Sequence, residues 1–185
     1  MTGEAFWISI FLFFIFPWVV IRFLLKEKLA SFGLSLGNRK RGIIYSVIFV
    51  AVFVLINYFI IKTPSLRNQL QISPDIVRSF WVFLWFQLFV SLSSHFSMEF
   101  FFRGFVQFGL EEKIGKWVIL AQAAVQTLLY SNSPWIIILL VGLSSLGAGY
   151  IAMKSRSVYY SFVAMWLISL SLDIMIIRYI FQGIT

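Results

Sequence analysis

Ser91-Leu-Ser-Ser-His95-Phe-Ser-Met98-Glu99-Phe-Phe-Phe-Arg103-Gly104 decides how the rest of the chain is read. It lies in an apolar run that begins near Phe80, yet it carries a histidine, a carboxylate and a guanidinium. Ser91, His95, Glu99 and Arg103 recur every four residues. On a helix each such step drifts by only about 40°, so the four cover about a third of the circumference. An ionisable group at bilayer depth costs several kcal/mol unless it faces protein or water, which makes three together a candidate functional site. The plainer alternative is that Glu99 and Arg103 neutralise each other across one turn and brace neighbouring helices.

The rest of the composition sets the solvent. With 61% hydrophobic and 12% charged residues, the chain is an all-α polytopic membrane protein rather than a soluble domain. Its 185 residues suit a single membrane domain, with an N-terminal two-helix part over 1–79 and a core over 80–185. The absence of cysteine excludes zinc–thiolate, disulfide and cysteine-nucleophile chemistry. One histidine cannot build a multi-histidine metal site, so neither metal nor cofactor is expected. The net charge of +8 does not point to nucleic acid, because the cations sit at the ends of apolar runs. There they set topology and attract anionic lipid headgroups. The first apolar run has Glu4 and no cation before it and no small-residue cleavage site after it, which reads as a retained helix.

Six spans are expected in one bundle, about 6–25, 42–61, 77–110, 117–130, 135–153 and 158–181. Five or seven follow if the third is broken or the fourth is re-entrant. The segment 26–41, apolar residues mixed with glycine and closed by Arg39-Lys40-Arg41, reads as an interfacial stretch on an anionic membrane face. Asn57 is expected to bond a neighbouring helix. The third run is too long for a simple crossing, so it must tilt steeply, break near Ser91–Ser97 or protrude. Trp81 and Trp85 mark its outer interface. The fourth, with Gln122, Gln126 and Thr127, is short and belongs inside the bundle. In the fifth, Ser144, Ser145, Ala148 and Gly149 form small-xxx-small pairs that let helices approach closely. Asp173 and Arg178 of the last span are expected to pair near an interface. Arg22, Lys26, Lys28, Arg39, Lys40, Arg41, Arg103, Lys113, Lys116, Lys154 and Arg156 fall on one side, and Lys62, Arg67, Arg78 and Arg178 on the other. That bias places both termini outside a cell (inner or plasma) membrane, and small size suits a bacterial one.

Met98-Glu99-Phe-Phe-Phe-Arg103-Gly104 resembles the signature of the CPBP family, the CAAX-protease and bacteriocin-processing intramembrane proteins, which reads Glu-Glu-x-x-x-Arg-Gly. Lys28-Leu-Ala-Ser-Phe-Gly-Leu-Ser-Leu-Gly-Asn38 is similar to the short amphipathic segment before that family's second helix. Helix order and spacing agree from about Phe80 to Leu172. The resemblance implies a metal-free intramembrane endopeptidase acting on lipid-modified proteins, and it also shows what this chain lacks. Met98 stands where the family has its water-activating glutamate, and Tyr130 (after Gln126) where Phe-x-x-x-His has its histidine. Trp166 and Leu170 stand for the oxyanion-stabilising His-x-x-x-Asn pair. Glu99 and Arg103 remain, the part that locks helices together in the family.

Hydrolysis without a metal needs a base for water and donors aimed at the developing oxyanion. Methionine supplies neither, tyrosine is a poor base near neutral pH, and tryptophan offers one N–H. The leading expectation is therefore a protein that has lost protease chemistry and binds a membrane-protein partner or a hydrophobic, lipidated peptide. Glu99, Arg103, Met98, Gln126 and Trp166 form the core of its site. A second reading is a divergent endopeptidase with His95, Glu99 and Tyr130 as catalytic groups. A third is a small transport or channel subunit, with Gln87, Ser91, His95 and Glu99 lining a polar path.

Overall fold

Apolar periodicity and length give helices throughout. In the computed structural model, which describes residues 3–70 and 73–182, every regular element is helical. Helix α1 (residues 3–24) mixes α-helical turns with wider π turns at Phe11–Ile15 and Val20–Leu24. Buried Pro17 lies between them; it has no N–H to offer the preceding turn, and widened turns are one way a helix absorbs that loss.

The segment after α1 leads into the second long helix. It docks on the bundle through a 3₁₀ turn, Leu29–Phe32, and two left-handed glycines. At Gly33 (φ 81°) a Cβ would lie 2.4 Å from the Phe108 ring, and at Gly37 (φ 46°) 2.0 Å from the Ser155 carbonyl oxygen. The Asn38 N–H donates to that same Ser155 carbonyl at 2.6 Å, and the Val158 N–H donates to the Gly33 carbonyl at 3.0 Å. Leu29, Phe32 and Leu34 thus serve internal packing, while Leu36 and the cations Lys26, Lys28, Arg39, Lys40 and Arg41 stay exposed.

Helix α2 (Arg39–Lys62) is capped by Asn38, whose Oδ1 accepts from the Arg41 N–H at 3.0 Å. It packs along α6 (Val158–Gln182). There Asn57 Nδ2 donates to the Ile168 carbonyl and the Ser171 hydroxyl, both at 3.0 Å, the interhelical role expected of it.

Helix α3 (residues 80–114) runs through the stretch where a break was one expectation. Leu92–Glu99 is regular α-helix, flanked by π turns at Phe86–Ser91 and Phe100–Phe108. It ends where Gly115 takes a positive φ of 59°. Helix α4 (Val118–Leu128) follows at once and has 11 residues. At about 1.5 Å per residue it spans about 16 Å, half of what a crossing requires. Five stretches among the described residues are long and apolar enough to cross a bilayer, with Phe80–Leu128 as one of them, in keeping with an all-α bundle of about six spans and with the alternative of five. Helix α5 (Trp135–Ser155) spends its small residues on close contacts. A Cβ on Gly147 would lie 2.2 Å from the Phe49 ring, and one on Gly149 2.6 Å from Gln122 Nε2.

Candidate functional site

The site is built on the wide turns of α3. Four-residue spacing places Glu99, Arg103 and Gln107 along one buried line, at 2%, 0% and 0% exposure. A guanidinium sealed from water needs acceptors for its donors, and the neighbouring helices supply them. Arg103 Nη1 lies 3.2 Å from Glu99 Oε1 and donates to Gln126 Oε1 of α4 at 2.6 Å. Arg103 Nη2 donates to the Ser145 carbonyl of α5 at 3.3 Å.

The network extends beyond this pair. Ser145 Oγ donates to Gln126 Oε1 at 2.7 Å, and Gln122 Nε2 donates to the Ser145 carbonyl at 3.0 Å. One turn further, Gln107 Nε2 donates to the Gly149 carbonyl at 2.9 Å. Three helices are therefore joined by one polar cluster whose only charges are Glu99 and Arg103. Glu99 Oε2, Arg103 Nε and Gln107 Oε1 make no hydrogen bond within it.

The other predicted residues sit elsewhere. His95 does not join Glu99: its Nδ1–H donates to the Ser91 carbonyl at 2.8 Å, back along its own helix. Met98 is half-buried. Tyr130, in the turn beyond α4, lies close enough to Arg103 to feel its charge; burial raises its phenol above the ordinary value, and the guanidinium offsets this in part. The Trp166 N–H donates to the Gln87 carbonyl at 3.3 Å, so it is committed to the backbone of α3. Asp173 does not pair with Arg178. Five residues apart, the two point to different sides of α6, and Asp173 Oδ2 instead accepts from Gln87 Nε2 at 2.7 Å.

Sequence reasoning named Gln122 and Gln126 but missed Gln107 and Ser145 as partners of this cluster. Gln107 continues the four-residue spacing of Glu99 and Arg103, a signal that could have found it. A cavity of about 890 Å³ opens between α1, α3 and α6, lined by groups such as Phe14, Phe89, Ser93, Ser97 and Phe162. Neither Glu99, Arg103 nor His95 lines it.

Residues 79–171 match the family model for type II CAAX prenyl endopeptidase Rce1-like proteins. The chain belongs to this Rce1-like family. The matched region runs from the start of α3 into α6 and contains the whole polar cluster together with Met98, Tyr130 and Trp166. The helical fold and the family together make it an integral membrane protein of the CAAX-protease-like class. No curated protein and no solved structure matches the chain. Within the Rce1-like fold, the wide π turn that carries Arg103 and Gly104 is also where the 29–33 segment presses in. A Cβ on Gly104 would lie 2.9 Å from the Phe32 carbonyl oxygen. The signature glycine thus admits a close backbone approach, and Phe32 beside it packs with Ile21 and Phe100.

Proposed function

We propose that this Rce1-like protein no longer hydrolyses peptide bonds and works by binding a membrane-protein partner or a hydrophobic, lipid-modified peptide. The single observation that carries this reading is the state of Glu99. It is sealed from solvent and held against Arg103, with methionine beside it and no imidazole bonded to it. A carboxylate so placed acts as a brace for α3, since activating water requires that water reach it. His95 serving the Ser91 carbonyl speaks against a His95–Glu99 dyad. Burial of Gln87, Ser91 and Glu99 speaks against a polar conduction path.

In this reading the chain is one membrane domain in a bacterial inner membrane, with both termini outside. The basic ends, including Arg39–Arg41, Lys113, Lys116 and Lys154, face the anionic inner leaflet. The test is incubation of the purified chain with farnesylated and unmodified hydrophobic peptides, alongside affinity capture of the same peptides. The expected outcome is binding without cleavage. Cleavage that disappears equally in His95→Ala and Glu99→Gln would establish the enzyme instead.

A further inference from the structure

The cavity between α1, α3 and α6 has a shape, a depth and a chemistry that identify one occupant. Its lining residues belong to the stretches Phe6–Leu24, Phe80–Leu128 and Val158–Ile180, each apolar enough to lie within a bilayer. The medium at its walls is therefore hydrocarbon. Among the lining residues none is charged, and the only hydroxyls are those of Ser93 and Ser97. Ser97 Oγ already donates to the Ser93 carbonyl at 2.8 Å.

Water needs two to four polar partners to settle in a cavity, and this lining does not provide them. An extended peptide would arrive with unpaired backbone groups and find no donors or acceptors for them. A spanning helix satisfies its own backbone, but as a cylinder about 10 Å wide and about 30 Å long it needs on the order of 2,500 Å³. The cavity offers about 890 Å³. An empty void of that size forfeits the contacts of every wall atom.

Depth supplies the remaining evidence. Along α3 the lining runs from Trp85 to Ser97. Twelve steps of about 1.5 Å make about 18 Å, close to the roughly 15 Å between a bilayer's interface and its midplane. Trp85 stands at one end of that run, where tryptophan favours the headgroup boundary. We infer that the cavity seats one acyl chain of a bilayer phospholipid, with its headgroup at the level of Trp85 and its chain end near Ser97. This holds whether or not the Rce1-like chain retains hydrolysis, and its test reads lipid retention rather than cleavage.

The experiment uses the full chain in mild detergent with added dioleoylphosphatidylcholine, followed by native mass spectrometry. One phospholipid per chain is expected. In Ser93→Phe, which fills the cavity from its wall, bound lipid should fall at least tenfold while the melting temperature stays unchanged. Leu120→Phe, outside the cavity, should keep its lipid. Equal retention by the unchanged chain and Ser93→Phe overturns the inference, as does preferential retention of S-farnesylcysteine methyl ester. Should Ser93→Phe fail to fold, a phosphatidylcholine with a photoreactive acyl chain is cross-linked to the unaltered protein. Labels on Phe89 and Phe96 support the cavity, and labels confined to residues outside it sink the inference.

Discussion

Arg103 Nη1 donates to Gln126 Oε1 at 2.6 Å, and this contact ties α3 to α4 inside the region that matches the family model. A buried guanidinium held by one carboxylate and two uncharged acceptors is a structural arrangement with measurable consequences.

Removing one charge of that pair leaves the other buried alone. Glu99→Gln should therefore cost about 3–5 kcal/mol of stability, read as a lowered midpoint in detergent denaturation. The double change Glu99→Leu with Arg103→Met should recover most of that loss, because a buried pair replaced by apolar groups is often nearly neutral.

Gln126→Leu keeps both charges but strips an acceptor from Arg103 Nη1 and from Ser145 Oγ. A loss of about 1–3 kcal/mol is expected in the same measurement. A smaller effect than that of Glu99→Gln would rank the charge above the amide.

Gly104→Ala places a methyl against the Phe32 carbonyl and the Phe100 ring, both at 2.9 Å. Overpacking of this kind costs about 1–3 kcal/mol. Hydrogen exchange should quicken at the Gly33 and Leu34 amides, which donate to the Ala30 and Leu29 carbonyls.

Met98→Glu restores one letter of the signature without an imidazole at position 130 or 166. No cleavage of farnesylated peptide is expected, measured by mass spectrometry of the peptide. Turnover in this single variant would mean that the groups already present suffice.

Asp173→Leu orphans Gln87 Nε2 in a buried setting and should cost about 1–3 kcal/mol, whereas Arg178→Ala should fall within about 0.5 kcal/mol. Equal effects in the two variants would restore the Asp173–Arg178 pairing.

Much of the cluster was legible because it obeys short-range rules. Glu99 and Arg103 are one turn apart, and a buried asparagine such as Asn57 has few choices but a neighbouring helix. What was not legible depended on backbone detail or on distant partners. His95 has Ser91 one turn before it and Glu99 one turn after it, and its ring bonds the Ser91 backbone carbonyl. Asp173 chose Gln87, 86 residues away in sequence, over a cation on its own helix. The π turns of α3 leave no mark in apolar periodicity, because phenylalanine fills the whole stretch from Phe100 to Phe102. The shortness of α4 was visible in its length, but the positive φ of Gly115 that starts it so soon after α3 was not.

The bonds from Asn38 to Ser155 and from Val158 to Gly33 also order events during synthesis. The turn at 29–38 leaves the ribosome more than a hundred residues before its partners at 155–158 exist. Until they emerge, its polar groups are held by water or headgroups. The first two helices can enter the bilayer, but the turn between them closes onto the bundle only when the last helix begins to arrive.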